Sequence, residues 1–95
     1  MESKIKKENR VKALQNALKV LELPPFVSFG EIKVKYRQLS KRYHPDIYKD
    51  DSKMSEINSA YEVLKNYIEN YRYSFDEEEI YKQYPENYHA DRFRF

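Results

Sequence analysis

The 95-residue sequence predicts an all-α fold of four helices, the last of them short. Three observations carry this. Apolar residues recur three and four apart in three separate stretches, the period of helices with one buried face. A single Gly against four Pro supplies too few tight turns for a sheet built of hairpins. A charged fraction of 36% and a mean hydropathy of −1.02 leave most of each helix facing water, as suits a thin domain. The ten tyrosines require a core made partly of amphipathic rings.

The first helix is expected from about Asn9 to Glu22, with Val11, Leu14, Leu18 and Leu21 on one face and Pro24-Pro25 as its stop. The second opens on Ser28-Phe-Gly-Glu31, a capping box with Ser28 as N-cap and Glu31 reaching back. Its buried face reads Ile32, Tyr36, Leu39 and Tyr43. It should stop at His44, because Pro45 disfavours helical backbone in the residue before it. After a short polar loop from Ile47 to Asp51, a third helix runs from roughly Ser52 to Tyr71. Its seam is Met54, Ile57, Tyr61, Leu64 and Ile68, and Asp50 and Asp51 sit at its positive dipole end. Ser74-Phe-Asp-Glu77 repeats the capping pattern and starts a fourth helix ending near Tyr84, before Pro85. The domain layout is thus a basic extension over 1–8, a core over 9–73, and over 74–95 a short helix with an aromatic tail packed on the domain. Val63 and Tyr67, off the main stripe of the third helix, are the expected receivers of the tail's rings.

Without Cys, disulfides and thiolate metal sites are excluded. No stretch has the apolar length of a membrane span, and the basic N-terminus leads into no leucine-rich leader core, so a cytoplasmic location is expected. Residues 1–46 carry eleven Lys and Arg against five Asp and Glu, a surplus of six, whereas 47–95 carry seven against eleven, a deficit of four. A basic first half suits an acidic partner surface, protein or nucleic acid.

The candidate site lies along the second helix. Lys33, Arg37 and Lys41 recur every four residues and line one edge, with Tyr36 and Ser40 between that edge and the core. The stripe runs into His44-Pro45-Asp46, where a proline fixes the backbone and leaves one imidazole and one carboxylate on a short corner. A flat cationic surface ending in one preorganised acid is suited to docking on an acidic protein and pairing that carboxylate with a buried Arg.

Three runs, Val20-Leu-Glu-Leu23, Glu31-Ile-Lys-Val-Lys-Tyr-Arg-Gln-Leu-Ser-Lys-Arg-Tyr-His-Pro-Asp46 and Glu56-Ile-Asn-Ser-Ala-Tyr-Glu-Val-Leu64, resemble the J domain of the DnaJ family in order and spacing. The resemblance covers roughly residues 11–68. It implies an antiparallel hairpin of the second and third helices, braced by the first and finished by a short fourth, in a co-chaperone that stimulates ATP hydrolysis by a DnaK-type heat-shock chaperone and so promotes client capture in protein folding. By this analogy Asp46 pairs with an Arg of the chaperone, His44 shapes the corner with Pro45, and Lys33, Tyr36, Arg37, Lys41 and Arg42 complete a face that meets the nucleotide domain and interdomain linker. The chain departs from the family pattern at Lys35, Gln38, Ile47, Met54, Ser55 and Asn58, and after Leu64. No Gly/Phe-rich linker, zinc module or β-rich client-binding domain follows in these residues, so any client contact falls to the termini.

Other function classes fit less of the sequence. A basic helix beside a Tyr can track phosphates, which makes a small nucleic-acid-binding module the alternative. The small net charge, the acidic second half and the absence of base-reading side chains weigh against it. Ser40, His44 and Asp46 have hydrolase residue types but no nucleophile elbow, and no Gly-rich loop cradles phosphate, so an enzyme is not expected. The His44/Asp46 and His89/Asp91 pairs are not brought together by any sequence feature, so neither a metal nor another cofactor is expected.

Overall fold

The computed structural model describes residues 4–84. It contains α1 (Lys4–Val20), α2 (Phe29–Arg42), α3 (Asp51–Glu69) and α4 (Glu77–Gln83). α3 is the shared element, packing against α1 on one side and α2 on the other. The α2–α3 pair is antiparallel: Phe29 stacks on Tyr61 near one end, while Lys53 lies over Tyr43 at the other. α1 also runs antiparallel to α3, since Arg10 and Leu14 share a groove with Tyr67 and Asn70.

The core is small and linear: Ala17 and Leu21 from α1 and its end, Ile32 and Leu39 from α2, and Ile57, Ala60 and Leu64 from α3. Leu21, Leu39 and Ile57 are its largest fully buried side chains, each contributing about 1.5–3 kcal/mol by burial. Leu14, Leu18, Tyr36, Tyr43, Met54, Tyr61 and Ile68 flank it. Val11 departs from expectation and is exposed. The buried stripe of α1 is centred on Ala17 and Leu21, and Val11 falls on its flank. Ala17 of α1 and Ala60 of α3 are both buried in this core.

α1 starts five residues before the expected Asn9, taking in most of the basic extension. It ends before the prolines reach it. The Leu21 N–H donates to the Ala17 carbonyl, then Glu22 enters the left-handed region at φ 56°. The Glu22 N–H donates to the Lys19 carbonyl and the Leu23 N–H to that of Leu18, which together form a Schellman cap. Pro24-Pro25 therefore follow the stop and do not cause it.

α2 begins as its sequence predicts: the Glu31 N–H donates to Ser28 Oγ at 3.1 Å, and the Ser28 N–H to Glu31 Oε1 at 3.2 Å. α3 is capped by Asp50, whose Oδ1 accepts the Ser52 N–H at 3.0 Å. That bond holds the Asp50 carboxyl below its ordinary range. α4 starts later than the Ser74 signal suggests. Ser74 Oγ accepts the Asp76 N–H in a local turn, and Asp76 takes the N-cap position without a side-chain bond. α4 buries no side chain and makes no close backbone contact with α1, α2 or α3. The tail over 85–95, expected to pack on the domain, lies outside the described residues.

Candidate functional site

The second helix presents its cationic edge as the spacing requires. Lys33, Arg37 and Lys41 are exposed. Lys33 Nζ sits 4.5 Å above the Phe29 ring centroid, a cation–π contact that anchors the start of the stripe. Arg37 and Lys41 form no ion pair among the described residues.

Tyr36 has a different position from its neighbours. Its ring stacks on Tyr61 at 4.2 Å, and its hydroxyl donates to Asn58 Oδ1 at 2.6 Å. The side chain is half-buried and ties α2 to α3. Two of the departures from the family pattern acquire a structural use here. Asn58 accepts the Tyr36 phenol. Lys35 puts its Nζ 3.6 Å from Glu22 Oε1. Arg42 Nη1 approaches the other oxygen of Glu22 at 4.0 Å. One carboxylate at the end of α1 thereby holds two cations of α2. Ser40 Oγ is buried and has no hydrogen-bond partner among the described residues.

The corner is held mainly by backbone. Tyr43 closes α2 with its N–H on the Leu39 carbonyl. The Ile47 and Tyr48 N–H groups both return to the His44 carbonyl, at 2.9 and 2.8 Å. His44 Nδ1 accepts the Asp46 N–H at 3.2 Å, which selects the ring form carrying its hydrogen on Nε2. The same nitrogen lies 3.6 Å from Asp46 Oδ2. That distance is too long for a hydrogen bond, and a nitrogen already accepting cannot also donate, so the backbone bond is the one that counts. The imidazole thus fixes the Asp46 backbone and leaves the carboxylate alone. The Asp46 side chain is 89% exposed and meets no Lys or Arg among the described residues.

Sequence reasoning missed several parts of this site. Tyr48, read as part of a polar loop, stands edge-on to Tyr43 at 4.9 Å, and Lys53 lies 5.4 Å above the same Tyr43 ring. Glu22, Asn58 and Tyr61 were equally silent as site supports, because their partners are distant in sequence. Only the excess of Tyr hinted at ring contacts of this kind. Among the described residues no group of three His, Cys, Asp or Glu converges as a metal site. None of the described helices is long and apolar enough to cross a membrane.

A hairpin of two antiparallel helices with a cationic stripe ending in His44-Pro45-Asp46, braced by α1, defines a class of small helical domain. The family model of the DnaJ domain matches residues 16–76, and the chain belongs to that family. Its all-α architecture is the J-domain one that the sequence predicted. The chain is similar to a DnaJ-like protein of Mycoplasma genitalium, with 48% identity over 52 residues, 54% of this chain and 17% of that protein. It is also similar to the chaperone protein DnaJ of Staphylococcus epidermidis, with 46% identity over 68 residues, 68% of this chain and 18% of that protein. The corresponding Staphylococcus aureus protein matches to the same 46%, with 17% of its length covered. The chain thus spans less than a fifth of the length of these relatives. No solved structure gives a significant match.

Proposed function

We propose that this chain is a J-domain co-chaperone, which stimulates ATP hydrolysis by a DnaK-type heat-shock chaperone in the cytoplasm and promotes capture of client proteins. The observation that carries the reading is the Asp46 carboxylate: fixed through its backbone, 89% exposed, and without a Lys or Arg of its own among the described residues. A carboxylate so placed sits on backbone that is already ordered, with both oxygens open to an Arg of the partner.

The surrounding residues divide the work by their physical setting. Lys33, Arg37 and Lys41 attract an acidic face of the chaperone's nucleotide domain and linker, raising the rate of encounter more than the final affinity. Arg42 joins them through the half of its surface that Glu22 leaves open. Tyr36 acts chiefly by keeping α2 in register with α3, and His44 with Pro45 sets the direction in which Asp46 points. The bond chemistry belongs to the partner, and this chain acts by binding.

The test is the steady-state ATPase of the DnaK-type chaperone from the same organism, with and without this chain. Asp46→Asn should lose at least tenfold in stimulation while unfolding at the same temperature as the parent, since removing an exposed charge typically changes stability by less than about 0.5 kcal/mol. Full stimulation by Asp46→Asn would sink the mechanism.

A further inference from the structure

His44 and Asp46 meet through one nitrogen. His44 Nδ1 accepts the Asp46 N–H at 3.2 Å and lies 3.6 Å from Oδ2 of the Asp46 carboxylate. Only the neutral imidazole has a nitrogen that accepts, so Nδ1 holds the backbone in that form alone. A proton taken from solvent makes both ring nitrogens donors. Nδ1–H then faces the Asp46 N–H, donor against donor, and the backbone bond is lost. The carboxylate oxygen is the acceptor at hand, and it has to close by less than about 1 Å to reach the length of a charge-assisted bond. Both side chains have room to turn, being 56% and 89% exposed. The other charged groups of the elements that meet here do not compete for the ring. At the end of α2, Arg42 is turned toward Glu22, and Lys41 forms no ion pair among the described residues. In the loop and at the start of α3, Asp50 accepts the Ser52 N–H and Lys53 lies over the Tyr43 ring. Among the described residues Lys49 and Asp51 form no ion pair, and Asp46 is the one acid within ion-pair distance of the imidazole.

We infer that His44 is a pH-sensitive switch on the Asp46 carboxylate. Neutral, the ring fixes the Asp46 backbone and leaves both side-chain oxygens open. Protonated, it releases the backbone and covers Oδ2 with its own Nδ1–H. An Arg of a partner must then displace an imidazolium that the chain already holds beside the carboxylate. Imidazoles change charge between about pH 5 and 8, so the device responds to mild acid. Exposed ion pairs are weak, so acid attenuates docking by a few fold and does not abolish it. The protonated ring also adds one charge to the cationic stripe, which favours encounter with an acidic face. That contribution is long-range and is screened over about 8 Å at 0.15 M salt, whereas the contact between ring and carboxylate is not.

The effect on docking rests on the co-chaperone reading, but the rearrangement itself does not, and the two are measured separately. The first measurement is NMR on the full chain, without chaperone, between pH 8 and pH 5. At pH 8 the nitrogen shifts of His44 should show Nδ1 without a hydrogen. As the ring takes up its proton, the Asp46 amide proton should move upfield along the same curve. Its temperature coefficient should rise to that of an amide bonded to water, a change that a nearby charge alone does not produce. An Asp46 amide that keeps its coefficient throughout the titration of the ring would overturn the proposal. The second measurement is ATPase stimulation at 0.15 M salt by the parent and by Asp46→Asn on the same chaperone, so that the chaperone's own pH dependence cancels in their ratio. That ratio should shrink by about threefold from pH 7.5 to pH 5.5. A constant ratio, with the amide following the ring, would also overturn the switch. If the parent stimulates at no pH, the co-chaperone reading fails, and the amide still reports whether the ring rearranges.

Discussion

Two acidic residues, Glu22 and Asp46, mark the two corners at one end of this bundle, and the molecule uses them in opposite ways. Glu22 sits in a strained left-handed conformation, next to the fully buried Leu21, and holds Lys35 and Arg42. Asp46 follows a proline, has exposed neighbours, and holds neither Lys nor Arg among the described residues. The first corner closes the fold and the second is left open for a partner. The two are connected through Arg42. This cation lies only four residues before Asp46, and Glu22 draws it toward α1, away from the carboxylate that the proposed function requires to be unpaired.

The largest expected effect tests whether the corners differ in their anchoring. Leu21→Ala should cost about 2–5 kcal/mol, because it empties a fully buried site at the exit of α1. Ile47→Ala, at the other corner, should change stability by less than about 0.5 kcal/mol, because that side chain is 74% exposed. Urea unfolding of the two variants measures the contrast directly, and equal losses would remove it.

A smaller effect separates strain from ion pairing at Glu22. Glu22→Gly and Glu22→Ala both release Lys35 and Arg42, but only Gly adopts φ 56° without a Cβ penalty. The Gly variant should therefore be more stable than the Ala variant by about 1 kcal/mol. A reversed order would show that the left-handed turn is not retained in solution. Ser40→Ala should stabilise by about 1 kcal/mol, since it deletes a buried hydroxyl without a partner and raises helix propensity. Unchanged or lower stability would mean that the hydroxyl does have a partner.

The smallest effect lies in acid. The Asp50 carboxyl is held below its ordinary value of 3.8, chiefly by the Ser52 backbone N–H. A depressed acid stabilises the fold above its unfolded pKa, and that stability is lost as pH falls through the folded pKa. Below pH 4 the parent should thus lose helix cap stability that Asp50→Asn, which caps without titrating, retains. The difference between their melting temperatures should narrow or reverse from pH 6 to pH 3. A constant difference would show that the carboxylate does not cap α3.

Much of the fold was legible because its signals are local. The capping box at Ser28, the stop before Pro45, and the three-and-four spacing of Ile32, Leu39, Ile57 and Leu64 each act within a few residues, where sequence and geometry are nearly the same thing. The cationic stripe and the His44-Pro45-Asp46 corner belong to the same category. The end of α1 was misread because a Schellman cap on Glu, where Gly is usual, has no composition signal, whereas Pro24-Pro25 just beyond it has a loud one. Ser74 misled for the opposite reason, as its hydroxyl closes a local turn that competes with the cap.

The sequence by itself determined the helices, their buried faces and the family to which the chain belongs, since each depends on contacts along one element or on a motif in one segment. Only the tertiary structure decided which charges are engaged. Glu22 meets Lys35 and Arg42, and Tyr36 meets Asn58 and Tyr61, across distances in the chain that no spacing rule encodes. Asp46 stands open for the same reason. Whether a carboxylate is paired depends on what the other helices bring beside it, and here Arg42, four residues before Asp46, is turned toward Glu22.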